Sequence, residues 1–284
     1  MPTQLKGRST PASVAGKNGY SLISSGKFRQ LYATLLKCEL LEERLGSSLA
    51  HGTKGTPSLM ASAVGLTLDL EPEDTVLFTP QIFAANLVKG VPVRTLLCSA
   101  AAKESDAVIS FARIGALNRA SSGESAGLAT GAALANKMAK NSKVAVAFME
   151  GGTLALKTCR EVLEIASKHK LPVLYVVEAE LDRSDEKLLA AFGNLFPVIT
   201  VDAYDLVAIY RVAQESIARA RDGGPTLIAC LPYVPDGMSS SAIVNIERYL
   251  VGKKLFENSW KDEALAEFNT ELGAACLPQS DPLA

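Results

Sequence analysis

The chain has 284 residues, with 29 Lys and Arg against 30 Asp and Glu, a formal charge of −1. That balance leaves no basic surplus to hold polyphosphate, so nucleic acid is not an expected partner. Apolar residues at 48% and charged residues at 21% are globular proportions, which exclude wholesale disorder. The longest apolar runs, at 144–149 and 171–177, fall far short of the roughly 20 residues that cross a bilayer.

Residues 1–21 read as a flexible tail. The stretch is rich in Lys, Ser, Thr and Gly and lacks the apolar centre of a signal peptide, so the expected compartment is the cytoplasm. Residues 27–50 carry Leu31, Leu35, Leu36, Leu40, Leu41 and Leu45 at helical spacing, with His51-Gly52 as a stop. A second, small-residue-rich helix is predicted over 57–70. Short β-type runs follow at 75–78, 107–111, 143–149, 172–177, 198–201 and 225–231. Helical stretches separate them at 81–89, 93–103, 124–140, 154–169 and 204–221. Strands apolar on both faces and alternating with helices predict an α/β fold, a doubly wound parallel sheet with helices on both faces. It extends over residues 22–231, including the helical arm. Residues 232–284 form a Pro/Gly/Ser-rich loop and a C-terminal helical extension, with Ile246, Leu250, Leu255, Trp260 and Leu265 as its apolar positions.

The five cysteines, Cys38, Cys98, Cys159, Cys230 and Cys276, are widely spaced, odd in number and without a CxxC pair. They read as reduced core thiols, with a metal or redox site as the alternative. His51 and His169 are the only histidines, and each ends a predicted helix, where an imidazole meets the last carbonyls.

Ligands of open α/β sheets bind beyond the carboxyl ends of the strands. The run 143–149 leads there into Glu150-Gly151-Gly152, and two glycines at a strand-to-helix turn let a diphosphate come close. A tight turn with no ligand explains them equally well. The next strand ends in Glu178-Ala179-Glu180-Leu181-Asp182, three acids in five residues.

These segments resemble a known family. Val144-Ala-Val-Ala-Phe148 with Glu150-Gly-Gly152, Glu161-Val-Leu-Glu-Ile-Ala166 and Lys170-Leu-Pro-Val-Leu-Tyr-Val-Val-Glu178 resemble the alpha subunit of the thiamine-diphosphate-dependent 2-oxo acid dehydrogenases. That is the first component of the pyruvate, branched-chain and acetoin complexes. Leu41-Glu-Glu-Arg44, Leu87-Val-Lys-Gly-Val-Pro92, Ala129-Thr-Gly-Ala-Ala-Leu-Ala135 and Ile246-Glu-Arg-Tyr-Leu250 extend the resemblance over roughly residues 22–275. It implies the thiamine-diphosphate-binding fold. It also implies assembly as a homo-dimer or as two alpha and two beta chains.

The resemblance further implies a Mg²⁺ held by the Asp of a Gly-Asp-Gly turn, the second Asn of a later Asn-Asn pair and a backbone carbonyl. Here those positions are Gly151, Glu180 and Asp182, with Glu150 and Gly152 flanking the first and Ala179 before the second. Glu180 and Asp182 as a substitute carboxylate site would crowd an anionic diphosphate, since like charges about 4 Å apart repel by about 4 kcal/mol at an effective dielectric near 20. The family's Tyr-Arg-x-His-Gly stretch corresponds to Pro80, Gln81, Ile82, Phe83 and Ala84, which supply neither cation nor imidazole. Its Gly-Gln-Glu-Ala falls at Ser58-Leu59-Met60-Ala61, and its Gly-His-Ser loop at 232–241, which has no His.

The expectation is therefore a degenerate member, a pseudoenzyme without catalytic residues or metal, binding no thiamine diphosphate and serving as a structural or regulatory subunit. The alternative is an active oxidative decarboxylase that works with a beta subunit through an unusual cofactor site. A dinucleotide-binding reading fails, because Glu150-Gly-Gly-Thr-Leu-Ala155 lacks the Gly-x-Gly-x-x-Gly turn.

Overall fold

The computed structural model describes residues 23–45, 57–101, 110–111, 116–118, 122–178, 183–233 and 240–276. The expected tail, and His51, lie outside them. The opening helix α1 (Ser25–Leu45) buries Phe28, Leu31, Tyr32, Leu35, Cys38, Leu41 and Leu45, a stripe at three- and four-residue intervals. Helix α2 is Pro57–Thr67.

The strands are β1 (Thr75–Phe78), β2 (Ser110–Phe111), β3 (Ala116–Asn118), β4 (Ala145–Glu150), β5 (Val173–Glu178), β6 (Val198–Asp202) and β7 (Thr226–Leu231). They form one sheet in the order β2-β3-β1-β4-β5-β7-β6, parallel throughout except for β2 against β3. The connecting helices are α3 (Val93–Ala101), α4 (Ser122–Met138), α5 (Lys157–Lys168), α6 (Arg183–Phe192) and α7 (Leu206–Arg221), followed by α8 (Ala242–Gly252) and α9 (Ser259–Cys276). Parallel neighbours need crossovers, and the helices supply them on both faces, so the doubly wound α/β class predicted from the sequence holds.

Each sheet face has its own core. Val146, Phe148, Leu174, Val176 and Ile228 point towards α1, α2 and α7, and the same cluster takes in Ile246, Leu250, Trp260 and Phe268 of α8 and α9. The alternate residues Ala147, Met149, Tyr175, Val177 and Ala229 face α4, α5 and α6. There Tyr175 and Thr130 share a hydrogen bond of 2.5 Å between their hydroxyls, which satisfies a fully buried phenol.

Two contacts fix how elements meet. At Gly65 of α2 an added Cβ would stand 2.7 Å from Ile209 Cγ2 and 3.2 Å from Leu206 Cδ1 of α7. The glycine is what lets the two helices approach. Gly65→Ala is accordingly expected to lower stability by about 1–3 kcal/mol through overpacking, read from the denaturation midpoint; an unchanged midpoint would show that α2 and α7 separate freely.

At the amino end of the sheet, the fully buried Asp74 carboxylate accepts from Arg221 Nη2 at 2.6 Å and Nη1 at 3.2 Å, from Val144 N at 2.8 Å and from Glu71 N at 2.8 Å. Arg221 Nη1 also donates to Ser142 O at 2.7 Å. One carboxylate thus joins the turn before β1, the start of β4 and the end of α7.

Several expected elements are corrected. Residues 81–89 form a 3₁₀ segment (Pro80–Lys89), because the non-helical backbone of Ile82 interrupts the turn that Pro80 starts. The single helix expected over 154–169 is a 3₁₀ turn (Gly151–Ala155) followed by α5, broken at the extended Leu156. The closing region is two helices, since Lys254 adopts a left-handed φ of 57° after α8. Helix α6 and strand β3 were not anticipated. Among the thiols, Cys38, Cys159 and Cys230 are buried as expected but Cys98 is exposed on α3. Leu96 and Leu97 before it pack against the core while the thiol does not.

Candidate functional site

Strand β1 pairs with β3 on one side and β4 on the other. The chain leaves β1 in one direction and returns in the other, so the carboxyl ends of β1 and β4 flank a topological switch point, where crevices form in such sheets. At the end of β1, Thr79 opens the 3₁₀ segment that carries Gln81 and Phe83. At the end of β4 stand Glu150, Gly151 and Gly152. Topology therefore brings together two of the sequence-predicted site segments from distant parts of the chain.

The individual placements are uneven. Glu150 is exposed and Gly151 buried, and a Cβ added at Gly152 would meet nothing within 4 Å. Phe83 is half-buried and packs against the larger core. The side chain of Gln81, and residues Ala179, Glu180 and Asp182, lie outside what the structure describes. His169 ends α5: its N–H donates to Ile165 O, and its carbonyl accepts from Lys137 Nζ. It precedes β5 and so belongs to the amino end of the sheet, away from the switch point. Among the described residues no group of three His, Cys, Asp or Glu side chains is placed to hold a metal ion.

Two acids gain roles that sequence reasoning missed. Glu42 of α1, only 6% exposed, accepts from the N–H of Ala84 through Oε2 at 3.3 Å. This buried bond pins the 3₁₀ segment at the switch point to the opening helix. Glu178 ends β5 at 8% exposure, and its Oε1 has no hydrogen-bond partner. The parallel register sets it beside Glu150 on β4 and Cys230 on β7. The cue lay in period-two alternation, which puts Leu174, Val176 and Glu178 on one face.

Burial raises the Glu178 carboxyl well above the ordinary glutamate range. Burial, and then the neighbouring Glu178, push the Cys230 thiol up in the same way. Low polarity disfavours each anion. Above the ordinary glutamate pKa the unfolded chain has lost a proton that the folded chain keeps at Glu178. Stability contributed by this group is thus full at low pH and falls as pH rises towards its folded pKa. Glu178→Gln is expected to gain stability relative to the parent as pH rises from about 4.5. Parallel stability curves for the two proteins between pH 4.5 and 8 would contradict it.

Comparison with known proteins places this architecture. A family model described as dehydrogenase E1 component matches residues 40–241, more than half of the chain. The protein belongs to that family. The alpha subunit of acetoin:2,6-dichlorophenolindophenol oxidoreductase from Bacillus subtilis (strain 168) is 36% identical over 119 residues, covering 37% of this chain and 35% of the relative. The pyruvate dehydrogenase E1 component subunit alpha of Acholeplasma laidlawii is 32% identical over 163 residues, 53% of this chain and 46% of the relative. That of Porphyra purpurea is 30% identical over 204 residues, 61% and 58%. The aligned part spans between about a third and three fifths of these relatives.

Proposed function

We propose that this chain is a non-catalytic homologue of the 2-oxo acid dehydrogenase alpha subunit, keeping the fold and the surfaces for subunit pairing while binding no thiamine diphosphate. The observation that carries the reading is the carboxyl edge at the switch point. Gly151 stands where the family places a metal-binding Asp, and it has no side-chain oxygen to offer. One strand away, Glu178 presents a buried acceptor with no donor. A diphosphate needs donors and cations at this edge. Among the described residues, those at this edge do not fit a magnesium-bound diphosphate, and no catalytic step is assigned.

The role that remains is structural or regulatory, within a homo-dimer or a hetero-oligomer with a beta-type subunit. The outer face of α4 supports the pairing: Leu128, Leu134 and Met138 are 52%, 40% and 76% exposed. A Cβ at Gly127 or Gly131 between them would meet nothing within 4 Å. Apolar and small residues share this face, with Glu124 one turn before Leu128, and such a face suits close packing against another helix.

A decarboxylation assay on pyruvate, acetoin and branched-chain 2-oxo acids tests the reading, with the beta-type chain that co-purifies. The expected outcome is no turnover attributable to this chain. Turnover that disappears when the chain is omitted would overturn it and establish an active decarboxylase subunit.

A further inference from the structure

We infer that the amino end of the sheet, where α4 and α5 finish, is a docking surface for an acidic polypeptide segment, held by Lys140, Lys143, Lys168 and Lys170. The inference is independent of whether a coenzyme binds at the opposite end. In a chain of net charge −1, residues 137–143 and 167–171 carry five lysines and no acid. The fold sets the two segments side by side. Lys137 Nζ donates to the carbonyls of His169 and Lys170, and Ala145 N donates to Pro172 O as β4 and β5 begin in register.

Attraction to helix carbonyls accounts for Lys137 and Lys168, in the last turns of α4 and α5. It does not account for Lys140 and Lys170. Both lie beyond the helix ends with left-handed φ values of 55° and 47°, a conformation that favours glycine and costs a lysine strain. Lys140, Lys168 and Lys170 are exposed and Lys143 half-buried. Among the described residues no carboxylate pairs with any of the four. Asp222 borders the surface, at the turn where a Cβ on Gly223 would stand 3.6 Å from Lys170 O.

The chemistry of the surface decides its partner. Helix carbonyls point at it rather than N–H groups, and it offers ammonium groups rather than arginine forks, so a phosphate is poorly served. Residues 137–143 and 167–171 contain no Phe, Tyr or Trp on which a base could stack. Met138 is their one large exposed apolar side chain, too little to anchor a lipid surface. A run of carboxylates crossing from the end of α4 to the end of α5 meets the ammonium groups in turn and relieves their mutual repulsion.

The full chain is titrated with fluorescein-labelled deca-glutamate and followed by fluorescence anisotropy. One-site saturation is expected, with affinity falling about tenfold between about 50 and 300 mM NaCl. Lys140→Gly combined with Lys170→Gly suits the backbone, so the denaturation midpoint should hold or rise while affinity falls about fivefold or more. Lys143→Gln combined with Lys168→Gln should weaken binding similarly without touching the left-handed positions. Lys254→Gly removes the same charge at another left-handed lysine, after α8, and should bind as the parent does. Absence of saturation, unchanged affinity in both double variants, or an equal loss in Lys254→Gly would overturn the surface. Tighter binding to phosphatidylserine-containing vesicles or to inorganic phosphate than to the peptide would overturn the choice of partner.

Discussion

Asp74→Ala is expected to lower the unfolding free energy by about 3–5 kcal/mol, the range for removing one partner from a buried charged pair. The carboxylate it deletes accepts from both terminal nitrogens of Arg221 and from the N–H groups of Val144 and Glu71. Alanine leaves the buried Val144 N–H without its acceptor at the start of a central strand, a loss that water cannot repair in place. Against a total stability of about 5–15 kcal/mol, that loss is between a fifth of the total and all of it. Arg221→Lys should be milder but not neutral, because an ammonium cannot reproduce the two-pronged contact. Chemical denaturation of the three proteins measures this. A loss below about 1 kcal/mol for Asp74→Ala would place the bond in the class of surface ion pairs.

The second large effect concerns assembly. Leu128→Glu with Met138→Glu puts two charges on the exposed face of α4, at residues that support no core in the chain itself. Stability of the isolated chain should change by less than about 0.5 kcal/mol, as for ordinary surface substitutions. Association through this face should be lost, because the carboxylates would be desolvated without partners. Light scattering of the parent and the double variant, alone and with a co-purifying chain, reads the difference. An assembly that survives both substitutions would place the interface elsewhere.

The central strands were legible because burial on both faces leaves near-continuous apolar runs, as in 144–149 and 172–177. Strand β3 was not, since the three residues Ala116–Asn118 are too short to show any period. Helix α6 opens with the polar run Arg183-Ser-Asp-Glu-Lys187 and brings its apolar positions only at Leu188, Leu189 and Phe192, which reads as a loop. The site divides in the same manner. Spacing along the chain located Glu150, Gly151 and Gly152 at a strand end. It did not disclose that Glu150, Glu178 and Cys230 stand side by side, because that depends on parallel register between strands far apart in sequence. The same holds for Asp74 and Arg221, which meet only after the sheet has formed.

The most direct measurement is calorimetric titration of the chain, alone and with any chain that co-purifies with it, with thiamine diphosphate in the presence of Mg²⁺. On the proposed reading, with Gly151 offering no side-chain oxygen and the buried Glu178 Oε1 without a donor on the adjacent strand, no binding heat beyond dilution is expected. Saturable, Mg²⁺-dependent binding in the micromolar range, weakened by substitution of this chain's own residues at the switch point, would contradict it.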